Sequence, residues 1–115
     1  MAVQQGSLLK DVPGELTAEL FETLAALPGA RIERIVSTGQ TTPPAKWYDQ
    51  AWDEWVLVVV GAAEILVEGE PAARRLAAGD WLLLPRGVRH RVTWTDPQQP
   101  TVWLAVHCGA VPDVR

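Results

Sequence analysis

The sequence lacks a second cysteine. With Cys108 alone no internal disulfide can form, so stability must come from a core, a metal or association of chains, which suits a reducing cytoplasm. It also lacks basic excess. A net charge of −4 and a pI near 5.0 give no electrostatic footprint for nucleic acid or an anionic membrane, leaving small molecules and protein partners. No apolar run approaches the roughly 20 residues of a membrane helix. Met1–Lys10 has neither the charged head nor the apolar stretch of a signal peptide, so a cytoplasmic protein is expected. There is no glycine-rich phosphate loop, no Ser, His, Asp arrangement that reads as a triad, and no internal repeat.

What is present fits one globular domain. The 115 residues are 48% hydrophobic and 21% charged, enough to bury a single core. Six tryptophans point to a core or pocket lined with aromatic rings. In Glu15–Leu27 the leucines Leu16, Leu20, Leu24 and Leu27 fall on one face of a helix, with Asp11 as a cap and Pro28-Gly29 as the stop. Residues 1–30 therefore read as an extension with a helix. From Arg31 the helical period gives way to short β-rich runs between Gly, Pro and Asp breaks. These are Arg31–Ser37, Trp47–Gln50, Trp55–Val60, Ala63–Glu68, Ala73–Leu76, Trp81–Leu84, His90–Trp94 and Val102–Cys108. So many short strands predict an all-β antiparallel sandwich or barrel over 31–115.

Alternation sharpens one of these strands. In Arg89–Thr95, residues Arg89, Arg91, Thr93 and Thr95 share one face, read as solvated, and His90, Val92 and Trp94 share the other. An inward His90 needs a partner for each ring nitrogen. On spacing alone, a hydrogen-bonded core histidine outweighs a metal ligand.

The stretch Gly79–His90, with Gly79, Pro85, Gly87 and His90 at fixed spacing, resembles the second signature of the cupin superfamily. Glu54, followed after six residues by Gly61, resembles the end of its first signature. Where the family carries its two histidines this chain has Trp47-Tyr48-Asp49-Gln50, as in a group of small single-domain bacterial cupins. The resemblance spans Gly39–Cys108. It implies a jelly-roll barrel of two antiparallel sheets, and the helix read over Glu15–Leu27 is expected to pack outside it.

Residue by residue the resemblance carries over only Glu54 and His90 as metal ligands, facing each other across the cavity. Asp49 is the nearest further oxygen donor, or else a turn residue. Tyr48 and Gln50 are weak ligands or pocket donors, and His107 completes the set if it points inward. Two His with carboxylates would suit Zn, Fe, Mn or Ni. Against this, Glu54 could pair with Arg34 or lie on the surface, and Cys108 reads as a small buried hydrophobe. The sequence names no catalytic residue. The first expectation is a metal-binding cupin acting on a small molecule; the alternative is a metal-free binding or structural cupin with Trp47, Trp55, Trp81, Trp94 and Tyr48 around the pocket. Exposed sheet edges, together with the resemblance, predict a homodimer.

Overall fold

The structure, a computed structural model, describes residues 2–111. It contains eight strands: β1 (Leu20–Leu27), β2 (Ala30–Ser37), β3 (Asp53–Val60), β4 (Ala62–Val67), β5 (Arg74–Ala77), β6 (Trp81–Leu84), β7 (His90–Thr95) and β8 (Thr101–Cys108). They form two antiparallel sheets, ordered β1-β2-β8-β3-β6 and β5-β4-β7. Between them lies a core of Ile35, Val56, Val58, Ala63, Ile65, Leu76, Leu84, Trp103 and Ala105. No helix is present among the described residues, and none is long and apolar enough to cross a membrane.

The count of eight strands matches the sequence reading, but two elements differ. The expected helix over Glu15–Leu27 is instead extended chain followed by the edge strand β1. Pro28-Gly29, read as a helix stop, joins β1 to β2, with Leu27 opposite Ala30 and Gly29 at φ 72°. Proline followed by a left-handed glycine is turn chemistry. The leucine period was a weak guide because a helix needs a surface on which to bury that face, whereas the hairpin offers backbone pairing along β2 from Ala30 to Val36. Leu24 and Leu27 accordingly remain 45% and 58% exposed.

The second difference is Trp47–Gln50, which is not a strand. Tyr48 makes one isolated antiparallel bridge to His90, with its N–H donating to the His90 carbonyl at 2.7 Å and its carbonyl accepting from His90 at 3.1 Å. Thr42 pins the same strap to β7 through Val92, donating from its N–H and accepting at Oγ1.

The N-terminal segment lies over the outer face of β2. Arg34 donates to the carbonyls of Leu8 and Lys10 and to Glu22, and is itself buried. Arg34 is therefore not the partner of Glu54. Away from the core, a two-point hydrogen bond from Arg74 to Glu70 bridges the β4–β5 turn and holds the Glu70 carboxyl below its ordinary range.

Candidate functional site

Glu54, Val56 and Val58 alternate inward on β3. Opposite them on β8 stand His107, Ala105 and Trp103, and the same rows continue onto β2 as Arg31, Glu33 and Ile35. On β7, His90 and Val92 face the core opposite Val67 and Ile65. These faces enclose a cavity of about 40 Å³ lined by Glu19, Phe21, Ile35, Tyr48, Glu54, Val56, Ile65, Leu84, His90, Val92 and Trp103. That is room for two or three waters or for the polar head of a small molecule, since one water needs roughly 10–15 Å³ on such a measure.

Two acceptors meet here. Glu54 Oε1 lies 3.8 Å from His90 Nε2, and both side chains are nine-tenths or more buried. His90 Nδ1 is 3.3 Å from the Val88 carbonyl, an acceptor only, so Nδ1 carries a proton and, where the ring is neutral, Nε2 turns its lone pair toward Glu54. At 3.8 Å no direct hydrogen bond forms. One bridging donor fits between them. The Tyr48 ring stacks on His90 at 5.4 Å and 24°, fixing the imidazole from the strap side.

His107 is committed elsewhere. Its Nδ1 accepts from the Trp52 indole at 2.8 Å and its Nε2 faces Glu33 Oε1 at 2.7 Å. An indole N–H only donates, so Nδ1 is the bare nitrogen and Nε2 carries the proton to Glu33. Although Glu54 Oε2 is 4.0 Å away, this imidazole has no lone pair left for a metal. The arrangement was not legible in the sequence, since Trp52, Glu33 and His107 come together only through the β2–β8–β3 register.

Several expected site residues lie elsewhere. Asp49 is exposed, and neither it nor Gln50 lines the cavity; the Gln50 carbonyl accepts from Gly87 instead. Trp47 sits outside beneath the Arg89 and Arg91 guanidinium groups. Trp55 and Trp81 pack together, Trp81 being 59% exposed. A register shift at Thr93 sets Trp94 opposite Glu64, with Arg75 stacked on its ring, and turns Thr95 inward to 1% exposure. Simple alternation cannot foresee a β-bulge, which reverses every face beyond it. Trp103, not among the residues expected here, is the tryptophan of the cavity. Its indole donates to Ser37 Oγ, whose hydroxyl in turn donates to Glu19 Oε2 at 2.6 Å. Cys108 is exposed rather than buried.

Do these residues fit a resident metal ion? Glu54 and His90 are two donors, and among the described residues no group of three or more His, Cys, Asp or Glu has metal-holding geometry. Two protein donors fall short of the three or four that hold a zinc-type ion. The donor set does not fit.

Two antiparallel sheets closing on a buried Glu–His pocket define a small jelly-roll barrel. The chain belongs to the Cupin_2 family (cupin domain), whose profile matches residues 33–107. A crystal structure from Ralstonia eutropha JMP134, of a protein provisionally described as a mannose-6-phosphate isomerase, is 52% identical, covers 94% of this chain and 100% of its own, and superposes with a TM-score of 0.91. A cupin superfamily protein from Desulfitobacterium hafniense DCB-2 is 15% identical over 94% of each chain, with a TM-score of 0.72. A DMSP lyase from Ruegeria pomeroyi DSS-3 is 25% identical, covering 75% of this chain and 41% of its own, with a TM-score of 0.62. No curated protein matches the sequence.

Proposed function

We propose that this cupin binds a small organic molecule in the barrel pocket through Glu54 and His90, without a resident metal. The observation that carries this reading is the buried Glu54 carboxylate, which accepts no hydrogen bond among the described residues and opens into the cavity beside a second acceptor. A buried carboxylate left in that state costs several kcal/mol, so a bound molecule or water must supply the donor. The same pair can accept and return a proton on such a molecule, which is the chemistry an isomerase or lyase would need.

A sugar phosphate, as the description of the Ralstonia protein would suggest, is a poor fit. Among the described residues the cavity lining carries Glu19 and Glu54 and neither Lys nor Arg. Two unit charges of like sign about 4 Å apart repel by roughly 4 kcal/mol at an effective dielectric of 20.

Elemental analysis of protein purified without chelators tests the metal-free reading. Less than about 0.1 equivalent of Zn, Fe, Mn or Ni is expected, unchanged in His90→Ala. Stoichiometric metal that is lost in His90→Ala would overturn it and restore the expectation of a metal cupin.

We also propose a homodimer, formed through the outer face of the five-stranded sheet. Trp55, Trp81, Leu83, Leu104 and Val106 fall on that face, and Trp81 and Leu83 are 59% and 57% exposed. Across β6, β3 and β8 these rows carry no charge, so this part of the face is self-complementary under a two-fold axis, where like charges would otherwise meet. Sedimentation at micromolar concentration should give a dimer for the native chain and a monomer for the double substitution Trp81→Glu, Leu83→Glu. A native chain that sediments as a monomer would exclude the dimer. The lone exposed thiol of Cys108 agrees with residence in the reducing cytoplasm.

A further inference from the structure

We infer that the pocket ligand is a small organic cation presenting N–H donors, a primary or secondary ammonium group. The inference rests on the pocket being a ligand site and adds the ligand's charge and donor count. Its first support is stereochemical. With Nδ1 donating to Val88, a neutral His90 offers Nε2 as an acceptor, and Glu54 Oε1 is a second acceptor 3.8 Å away. A group that bridges a neutral ring and the carboxylate must donate twice, as a water or an ammonium group can. A hydroxyl donates once; an ammonium group donates two or three times and carries the charge that complements a carboxylate.

The second support is the rest of the lining. Glu19 is the other carboxylate of the cavity, anchored through Ser37 to the Trp103 indole. Phe21, Tyr48 and Trp103 contribute aromatic surface, with Phe21 36% exposed. Two carboxylates and three aromatic side chains, with no Lys or Arg in the lining among the described residues, make an environment that favours a cation by charge and by the quadrupoles of the rings. The cavity of about 40 Å³ takes an ammonium head with one or two carbons, so a longer substituent would run out toward the solvent side.

The test is an NMR titration of the full chain at neutral pH with three probes of matched shape, propylammonium, propan-1-ol and propionate, read at the His90 ring and the Trp103 indole N–H. Probes with four or five heavy atoms bind at about millimolar strength, within reach of that method. Propylammonium should bind roughly tenfold more tightly than propanol because its hydrogen bonds are charge-assisted, and propionate should not perturb either signal. In Glu54→Gln the preference for ammonium should fall to within about threefold. The comparison in the native chain stands alone if that variant does not fold. Propanol binding as tightly as propylammonium would overturn the cation assignment and leave the pocket reading intact. Propionate binding best would overturn the charge argument. Silence from all three probes would overturn both readings.

Discussion

Replacing Gly61 by alanine should destabilise the protein by about 3 kcal/mol or more, a large fraction of a small domain's stability. Gly61 is the single residue between β3 and β4 and sits at φ 92°, where an L side chain is strained. An added Cβ would also lie 2.6 Å from the Thr101 Cα and 2.9 Å from the Pro100 carbonyl oxygen. Those are backbone atoms at the start of β8, held by the hydrogen bonds between Thr101 Oγ1 and Ala62, so neither can rotate aside. Urea denaturation should show a midpoint lower by more than about 1 M, taking a slope of roughly 1–3 kcal/mol/M. Asparagine, which tolerates positive φ, should not rescue, because the collision remains. A loss below 1 kcal/mol in Gly61→Ala, or a rescue by asparagine, would show that the turn shifts to accommodate a side chain.

His107→Leu is the second expected large effect. It removes the proton donor facing Glu33 Oε1 at 2.7 Å, in a place where His107 is 0% and Glu33 2% exposed. Leaving a buried carboxylate without the donor that satisfies it costs about 2–4 kcal/mol, since the loss is larger for a charged acceptor than for a neutral one. The guanidinium of Arg31, 3.8 Å from Glu33 Oε2, sets the loss toward the lower end of that range. Trp52→Phe takes away only the neutral donor to His107 Nδ1 and should cost about 1–2 kcal/mol. Trp52 acts through His107, so adding Trp52→Phe to His107→Leu should cost little more than His107→Leu alone. Additive losses would mean that Trp52 contributes by packing and not by fixing the imidazole.

The sequence by itself determined the strand content from Arg31 onward, Trp47–Gln50 excepted, because β-rich runs and their Gly, Pro and Asp breaks are local signals. It also determined that His90 faces inward, since no bulge intervenes between the bend at Pro85 and Gly87 and the first residues of β7. Glu54 was legible as a candidate through its spacing to Gly61. What happens to those groups was decided by tertiary structure. β1 is a strand because β2 offers it a ladder, which outweighs a leucine period with nothing to bury against. Trp94 faces out because one extra residue at Thr93 reverses the alternation. The tryptophans expected in the pocket went to the outer faces, and Trp103 took their place. His107 is closed to metal because Trp52, distant in sequence, donates to its Nδ1. Each depends on which residues lie opposite one another across sheets, and hydrogen bonds between partners far apart in sequence leave no periodic trace along the chain.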